Sequence, residues 1–483
     1  MLMGYSIYLI VGYVLVIIAV CYRIIINSTT PSKTLAYLLL VTILPIIGVV
    51  FYLSVGLNYR KRKLYQKKID IDDKTYPELL ENIHSYSRKV LDAQKERLGY
   101  FYPLACLFIN RHLLSDCNDV MLLENGEHKF PEVLQNLRAA KHHIHIEYYI
   151  YEDDEIGGQI ADILMAKAKE GVQVRFIYDD FGSRSVRKKL VPMLKKAGVE
   201  AYPFFEVKLI YFANRMNYRN HRKIIVVDGE VGYVGGINVS DKYINTAKNK
   251  LYWRDTHLKV VGESVMNLQF TFLTDWNFCS GQNISYSTQY FLYNLVENKA
   301  HRQLVQIHAS GPDSDYPGIM YSLIQILLLA RNRVYITTPY FIPEKSFLDA
   351  LKIARLSNVE VILLVPGISD SWIVNTTSQS YYAELLAIGI RIFRYQKGFV
   401  HAKTMVCDDF VSVVGTSNLD NRSFDLNFEV NAVVFDDHIA AKMVADFMND
   451  LQNSTEIILE DWLQRPATTQ FMEKLLQLFS PLM

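Results

Sequence analysis

Cysteine is scarce in this sequence, and the few cysteines follow no recognisable pattern. The five of them are scattered between Cys21 and Cys407, without any Cys-x-x-Cys pair. An odd and widely spaced set excludes a disulfide framework and a cysteine-based zinc site, and it is typical of a reducing compartment. No other metal-ligand cluster is visible, so the sequence predicts neither a metal nor another cofactor.

A surplus of one charge is also lacking. Lysine and arginine number 51, aspartate and glutamate number 50, and the formal net charge is +1. Without a basic field to attract a phosphate backbone, the chain is not expected to bind nucleic acid. Its 483 residues are too many for one ordinary domain and enough for two or three.

Charged residues are nearly absent from the first 59 positions. Residues 1–22 carry none, the apolar run continues past Arg23 to Ile26, and residues 34–59 are again uncharged. Each run exceeds the roughly 20 residues needed to cross a bilayer. The sequence therefore predicts a transmembrane hairpin over 1–59, with helices at about 3–26 and 34–58. The rival interpretation, a cleaved signal peptide, lacks a basic start and a small-residue cleavage site.

Basic residues follow the predicted hairpin at once. Residues 60–63 read Arg-Lys-Arg-Lys, and two further lysines stand at 67 and 68. Because positively charged flanks stay on the cytoplasmic side, the long C-terminal part is expected there as well. The predicted location is the cytoplasmic membrane of the cell, with a multi-pass anchor and with 60–115 as a helical juxtamembrane linker.

One pattern occurs twice with identical spacing. A histidine is followed by a lysine two positions later, then an aspartate, a glycine and an asparagine. The copies are His221, Lys223, Asp228, Gly235 and Asn238, and His401, Lys403, Asp408, Gly415 and Asn418. Alternating apolar residues predict a strand, on which the His and the Lys share one face. Asp228-Gly229 is a strong hairpin signal, and Asp408-Asp409 is a weaker one.

Strands and helices alternate in the same order around each copy of the pattern. This predicts an α/β fold made of two duplicated sandwich domains, over 116–295 and 296–465, related by a pseudo-twofold axis. Asn125-Gly126 is expected to form a further hairpin. The last segment, 466–483, is amphipathic, and either a membrane-interface helix or a packing helix would fit it.

If the two halves pack face to face, both His-Lys pairs meet in one cleft. Two imidazoles, two ammonium groups and the amides of Asn238 and Asn418 would then surround a phosphate oxyanion. One neutral imidazole could attack phosphorus while the other, protonated, gives its proton to the leaving alcohol.

Two pairs of carboxylates accompany the repeated pattern. Asp255 and Glu429 follow it at corresponding places and could orient the histidines through their far nitrogens. The plainer alternative for Asp255 is an ion pair with Arg254 or Lys259. Asp228 and Asp408 have either a direct chemical role or only a role in capping their turns.

Together these residues resemble the two H-x-K-x4-D motifs of the phospholipase D superfamily. Further segments are similar to the bacterial cardiolipin synthases of that superfamily, and they are GLNYRKRK at 56–63, YWRDTHLKV at 252–260, TTPYFIP at 337–343 and SPLM at 480–483. The resemblance implies two phospholipase D-like domains. The first copy has Gly235-Gly236 where many relatives have Gly-Ser, which implies the loss of one hydroxyl contact.

The resemblance also implies an activity and a role for each residue. A phosphatidyl group would pass from one phosphatidylglycerol to a second through a phosphatidyl-histidine, giving cardiolipin and glycerol. His221 would be the nucleophile, His401 the acid and base, and Lys223 and Lys403 would bind the phosphate. The expected partners are these two lipids and the bilayer. A hydrolase or another transphosphatidylase of the superfamily, or a scaffold with a relic site, are the alternatives.

Overall fold

The computed structural model describes residues 2–28, 31–55, 68, 77–206, 218–247, 249–284, 290–291 and 303–483. The basic cluster at 60–63 and most of the predicted linker before residue 77 lie outside the described residues. The linker continues as helices α4 (Pro77–Ala93), α5 (Lys95–Leu98) and α6 (Tyr102–Cys106).

The N-terminal region forms three helices, α1 (Leu2–Asn27), α2 (Pro31–Ile43) and α3 (Pro45–Val55). The single second helix predicted over 34–58 is thus broken at Leu44, because a proline disfavours helical backbone in the residue before it. Gly48 lies against α2 so closely that a Cβ there would be 2.5 Å from the carbonyl oxygen of Leu40. Among the described residues, no helix is both long enough and apolar enough to span a membrane.

The first half is built on a sheet whose residues alternate between two apolar layers. Within the described residues its order is β2-β10-β8-β7-β3-β4-β5. The elements are β1 (Leu114–Ser115), β2 (Asn118–Glu124), α7 (Asn125–Ala139), β3 (His143–Tyr148), α8 (Glu155–Lys169), β4 (Gln173–Tyr178), α9 (Arg184–Arg187), α10 (Leu190–Lys196), β5 (Glu200–Pro203), β6 (Arg219–Asn220), β7 (Lys223–Val227), β8 (Val231–Gly235), β9 (Tyr252–Arg254), β10 (Thr256–Gly262) and α11 (Val265–Ser280).

The second half repeats this arrangement. Its sheet contains the order β11-β20-β18-β17-β12-β14-β15, which corresponds strand by strand to the first. The elements are β11 (Leu304–Ser310), α12 (Gly318–Leu329), β12 (Arg333–Thr337), β13 (Phe341–Ile342), α13 (Lys345–Leu356), β14 (Glu360–Pro366), α14 (Trp372–Gln379), α15 (Tyr382–Ala387), β15 (Arg391–Tyr395), β16 (Gly398–Val400), β17 (Thr404–Cys407), β18 (Val411–Gly415), β19 (Leu419–Asp420), α16 (Asn421–Asp425), β20 (Asn427–Phe435), α17 (Asp437–Gln452), β21 (Ser454–Glu456), α18 (Leu459–Leu463) and α19 (Ala467–Gln477). The predicted duplicated α/β fold is therefore confirmed.

Each copy of the repeated pattern forms the predicted hairpin. β7 pairs antiparallel with β8, and β17 pairs antiparallel with β18. Asn125-Gly126 does not form the predicted hairpin and instead begins α7. Asn125 adopts a φ of 57° and exchanges two hydrogen bonds with Asp255, through its amide N–H and its side-chain oxygen, each 2.9 Å long. The left-handed backbone that the pair favours is present, but it serves this contact rather than a two-residue turn.

The two sheets pack face to face around an apolar layer. Ile224, Val226 and Leu258 of the first sheet share this layer with Val406 and Val434 of the second. The outer faces of the sheets are covered by helices in two further apolar clusters. The arrangement is a sandwich in which sheet packs on sheet and helices close both outer sides.

Two short parallel ladders cross between the halves and bring the repeated patterns together. β6, directly before His221, pairs with the start of β20, directly before Glu429. β9, directly before Asp255, pairs with β16, directly before His401. The ladders are related by the duplication, so each histidine is placed beside the carboxylate of the opposite half.

The N- and C-terminal segments meet on the second half. Lys33, in the first turn of α2, forms an ion pair with Asp425 of α16. Leu482 packs against the small apolar cluster formed by α1, α2 and α3. α19 packs on α14, and Lys474 donates a 3.0 Å hydrogen bond to the carbonyl oxygen of Ser380, so of the two alternatives for 466–483 this structure has the packing helix.

Candidate active site

The two repeated histidines line one cavity. It has a volume of about 730 Å³, and His221 and His401 reach it together with Asn238 and Asn418. His221 precedes β7 by two residues and His401 precedes β17 by three, so both lie where a central strand of their sheet begins. Residues 180 positions apart in the repeat thus face the same space.

A carboxylate from the opposite half binds the Nδ1 atom of each imidazole. His221 Nδ1 lies 3.0 and 2.9 Å from the two oxygens of Glu429, and His401 Nδ1 lies 2.7 Å from Oδ2 of Asp255. An ionised carboxylate accepts only, so each imidazole carries its proton on Nδ1 and leaves Nε2 for a bound group.

Asp255 does not form an ion pair with either of its basic neighbours. The Nζ atom of Lys259 lies 2.8 Å from Glu132, and the Nε atom of Arg254 lies 2.8 Å from Asp450. Burial alone would raise the pKa of Asp255, but His401 and Lys403 hold that pKa below its usual range. The pKa of Glu429 is likewise lowered against its burial, by His221 and Lys223.

Burial keeps both imidazoles neutral. It lowers the pKa of His221 to about 4, although Glu429 opposes the change. It lowers the pKa of His401 to about 3, and the charge of Lys403 adds to this effect. A neutral imidazole with a free Nε2 lone pair is the form that can attack phosphorus.

The two repeated lysines lie beneath the histidines. Lys223 donates a 2.6 Å hydrogen bond to the carbonyl oxygen of His221, and Lys403 donates a 2.5 Å bond to that of His401. Both are buried, and burial lowers their pKa values to about 7 and about 8, respectively. The charge of Lys403 also lowers the pKa values of Lys223 and His221, and the charge of Lys223 lowers the pKa of His401, so the four basic groups lie within electrostatic range of one another.

Asp228 and Asp408 lie at the far ends of their strands and do not line the cavity. Asp228 accepts the backbone N–H groups of residues 141–143, and Asp408 accepts those of residues 331–333. Both adopt positive φ angles, 54° and 48°. Of the two roles considered above, these contacts match capping of the turns and leave no place for direct contact with a reacting group.

The two repeated asparagines differ in their partners. Asn238 accepts a 3.1 Å hydrogen bond from the N–H of Ile150. Asn418 Oδ1 is buried, and among the described residues it has no hydrogen-bond partner. A buried polar atom that faces a cavity without a partner is costly unless a ligand meets it.

The residue that follows the repeated glycine differs between the two copies and leaves different space for the two carboxylates. A Cβ on Gly236 would lie 2.1 Å from Oδ1 of Asp255. At the corresponding position of the second copy, Thr416 is bound to Glu429 through its side chain, which lowers the Glu429 pKa. The glycine expected to cost a hydroxyl contact is therefore the one that lets Asp255 approach.

Two aromatic side chains that the motif analysis did not single out flank the histidines. The ring centroid of Tyr149 lies 4.9 Å from that of His221, in an edge-on arrangement, and the centroid of Trp253 lies 5.2 Å from that of His401. Neither aromatic residue recurs at the corresponding position of the other half, so the repeated spacing gave no signal for them.

The outer wall of the cavity is apolar and comes from both ends of the chain. Leu40, Ile47 and Phe51 line it from α2 and α3, and Phe479, Leu482 and Met483 line it from the C-terminal turn. The polar floor and the apolar wall together suit an amphiphilic molecule with a phosphate head.

Comparison with known proteins gives consistent similarities over most of the chain. The family model described as cardiolipin synthase, PLD-like domain, matches residues 133–265 and 323–451. A second, described as phospholipase D-nuclease N-terminal, matches 14–56. The chain is 40% identical over 463 residues to the cardiolipin synthase of Halalkalibacterium halodurans, covering 95% of this chain and 91% of that one. It is 39% identical over 460 residues to cardiolipin synthase 2 of Bacillus anthracis, covering 95% and 88%.

A solved structure shares the fold at low sequence identity. It is the phosphatidylserine synthase of Haemophilus influenzae, with a TM-score of 0.57 and 14% identity. The match covers 75% of this chain and 95% of that chain.

Proposed function

This chain belongs to the cardiolipin synthase family of the phospholipase D superfamily, and from that premise we propose that it transfers a phosphatidyl group from one phosphatidylglycerol to another. The products are cardiolipin and glycerol. The observation that carries the proposal is the pair of imidazoles, one from each half, that face one cavity with their Nδ1 atoms bound to buried carboxylates. Such a pair supplies a nucleophile and an acid for the same phosphorus atom.

In the first step His221 Nε2 attacks the phosphorus of the donor lipid. The bond from phosphorus to the glycerol oxygen breaks, and His401 gives that oxygen a proton. The bound phosphodiester adds negative charge beside His401 and thereby raises its pKa above the value that the protein groups alone give it. Lys223, Lys403 and the amides of Asn238 and Asn418 stabilise the phosphoryl oxygens.

In the second step the roles reverse. His401, now neutral, accepts the proton of a hydroxyl on the second phosphatidylglycerol as that hydroxyl attacks phosphorus. The bond from phosphorus to His221 breaks, and cardiolipin is released. Glu429 keeps the His221 proton on Nδ1 through both steps, and Asp255 does the same for His401.

Hydrolysis is the second candidate function, because water could replace the second lipid with the same residues. The apolar wall formed by α2, α3 and the C-terminal turn favours a lipid acceptor over water. Purified protein supplied with phosphatidylglycerol in mixed micelles, without added metal or nucleotide, tests the choice. Cardiolipin with an equal amount of glycerol supports the transferase, whereas phosphatidic acid as the main product would contradict it.

We further propose that the N-terminal helices hold the enzyme at the cytoplasmic membrane, with both catalytic halves on the cytoplasmic side. The support is an unusually exposed apolar surface on α1 and α3, which includes Leu15, Ile18, Ile25 and Ile46. The phospholipase D-nuclease N-terminal match covers the same region. A lipid substrate would then reach the cavity directly from the bilayer surface.

The number of crossings can be tested at the link between α1 and α2. A hairpin that crosses twice puts this link on the far face, whereas the ion pair of Lys33 with Asp425 favours the face of the catalytic halves. In a variant whose natural cysteines are replaced by serine, Ser32→Cys is treated with a membrane-impermeant maleimide on intact cells. Labelling only after permeabilisation, as for a Lys397→Cys control on the catalytic part, supports the same face. Labelling of intact cells would establish the two-crossing hairpin.

A further inference from the structure

A cationic side chain that does not belong to the repeated pattern lines the active-site cavity. Arg219 precedes His221 by two positions, lines the same cavity and is only 4% exposed. Its guanidinium lies over the ring of Phe181, 4.4 Å from the centroid, and its Nη1 atom is 4.0 Å from Asp179. Among the described residues, Nη1 is buried without a hydrogen-bond partner. A buried donor in this state points to a ligand that accepts from it.

Two more polar groups converge on the same end of the cavity from the second half. Arg422 of α16 lines the cavity there, and its charge lowers the pKa of Arg219 beyond the effect of burial. Asn427 also lines the cavity, and its Oδ1 atom is buried with no hydrogen-bond partner in the described chain. Two neighbouring arginines attract an anion, and an unmet oxygen acceptor suits a hydroxyl group.

The reaction requires two phosphate positions, and the repeated pattern supplies one. Cardiolipin carries two phosphodiesters joined by one glycerol, and only one of them can lie between His221 and His401. The glycerol bridge has six bonds between its phosphorus atoms, as many as two residues of backbone, and therefore spans at most about 7 Å. Arg219 and His221 are separated by two residues along an extended segment, which is again about 7 Å.

We propose that Arg219 and Arg422 form a subsite for the phosphodiester of the accepting lipid, with Asn427 receiving a hydroxyl of its glycerol. The inference rests on the proposed transferase function and adds to it the feature that selects phosphatidylglycerol over a simple alcohol. When the acceptor phosphate lies at the two arginines, its terminal hydroxyl reaches the phosphorus held on histidine. The P–N bond to that histidine breaks, the new P–O bond forms, and the hydroxyl proton passes to the other histidine.

Glycerol as a competing acceptor tests this subsite independently of the catalytic residues, because it offers the same hydroxyl group without a phosphate. Enzyme in phosphatidylglycerol micelles with isotope-labelled glycerol makes cardiolipin and, by exchange, labelled phosphatidylglycerol. Both products come from the same covalent intermediate. The ratio of cardiolipin to labelled phosphatidylglycerol therefore measures only which acceptor reacts with the intermediate. Unfolded or inactive molecules make neither product and do not affect the ratio.

Arg219→Gln and Arg422→Gln are each expected to lower this ratio by at least about tenfold, since each removes charge-assisted hydrogen bonds to the acceptor. Arg219→Lys, which keeps the charge but not the planar fork, should fall between Arg219→Gln and the unaltered protein. The matched control is Arg184→Gln. Arg184 stacks on the same Phe181 ring, 4.7 Å from its centroid, but does not line the cavity, and its ratio should not change.

An unchanged ratio in both arginine variants would overturn the subsite. If the ratio is unchanged because both products fall equally, the arginines act on the donor lipid and not on the acceptor. A fall in the ratio for Lys242→Gln instead would move the acceptor phosphate to the Trp253 side of the cavity and would also overturn it. If the unaltered protein makes labelled phosphatidylglycerol but no cardiolipin, the proposed function fails rather than the subsite.

Discussion

The two histidines are bound by their carboxylates in different ways. Glu429 approaches His221 Nδ1 with both oxygens, at 3.0 and 2.9 Å. Asp255 uses one oxygen for His401, and its other oxygen accepts the N–H of Thr256 at 2.8 Å. The two imidazoles are therefore in the same tautomer but in different surroundings, which suits two groups that have different tasks.

Replacement of either carboxylate by its amide should disturb the tautomer while leaving the fold in place. For Asp255→Asn and Glu429→Gln we expect kcat to fall by about 10²- to 10⁴-fold, by the logic of catalytic triads, with little change in KM for phosphatidylglycerol. Steady-state cardiolipin formation in mixed micelles measures both constants. Glu456→Gln, on the surface pair with Arg391, serves as the control. Full kcat in both site variants would show that the contacts do not orient the imidazoles.

The lowered pKa values of Lys223 and Lys403 predict how activity depends on pH. Each ammonium group is charged below its pKa, and burial lowers these values to about 7 for Lys223 and about 8 for Lys403. As the pH rises through this interval the site loses positive charge, so kcat/KM for phosphatidylglycerol should fall. Lys223→Arg, if active, should move this decline to higher pH. A profile that stays level across the interval would contradict the assigned role of the lysines.

At this scale the sequence pointed to the groups that the structure brings together at the cavity, but not to the hydrogen-bond partner of each group. His221, His401, Asp255 and Glu429 all follow from the repeat, because duplicated spacing is hard to produce by chance. The repeat does not predict that each histidine is bound by the carboxylate of the opposite half. His401 and Asp255 are 146 residues apart, and the pairing of β9 with β16 brings them together. Arg219 has no counterpart of its own type in the second copy, and it therefore gave no signal.

At the scale of elements, the two β-hairpins of the repeated pattern place a histidine at one end and an aspartate at the other. β7 and β17 each begin near the cavity and end at an aspartate with positive φ. Each aspartate accepts three backbone N–H groups from the start of a neighbouring strand. The H-x-K-x4-D pattern therefore combines an end that faces the cavity with an end that binds the backbone of the neighbouring strand.

Loss of such an aspartate should affect stability rather than chemistry. For Asp228→Ala we expect a loss of about 1–3 kcal/mol in the free energy of unfolding, because backbone donors lose their acceptor. The kcat of the protein that stays folded should be unchanged. Asp228→Asn, which tolerates positive φ and retains an acceptor oxygen, should lose less. Thermal unfolding in detergent and active-site-normalised turnover are the measurements, and a lowered kcat at unchanged stability would assign Asp228 to the chemistry.

Two elements show where local signals were insufficient. Asn125-Gly126 carries a hairpin signal, yet Asn125 uses its left-handed backbone to bind Asp255 before a helix. The apolar stretch 34–58 looks like one helix, yet Pro45 breaks it and Gly48 packs against Leu40. In the first case a contact with a residue distant in sequence decided the conformation. In the second, the local effect of a proline on the residue before it prevailed over the apolar pattern.

At the scale of the whole molecule, the N-terminal helices and the C-terminal turn complete a cavity whose polar side chains come from the two duplicated halves. Leu40 and Phe51 approach the cavity from the N-terminal helices, and Phe479, Leu482 and Met483 approach it from the last turn. The duplicated halves were predictable because their element order repeats. The apolar wall of the cavity could not be predicted, because the segments that form it lie outside the repeat and have no second copy within the chain.

This wall should control how much water reaches the covalent intermediate. Deletion of residues 480–483 is expected to raise the share of phosphatidic acid among the products, because an opened cavity admits water. Leu478→Ala alters an exposed neighbour outside the cavity and serves as the control. Chromatographic separation of the lipid products gives the ratio. An unchanged ratio after the deletion would show that the C-terminal turn does not exclude water.

The central claim is that one histidine from each half acts on a single phosphorus atom, and a trapped intermediate tests it most directly. His401→Ala, incubated with phosphatidylglycerol and digested, should yield a His221 peptide that carries a phosphatidyl group in mass spectrometry. His221→Ala should yield no lipid adduct and no cardiolipin. A phosphatidyl group on His401 would reverse the two roles. Cardiolipin formation at the full rate by either variant would contradict the shared site itself.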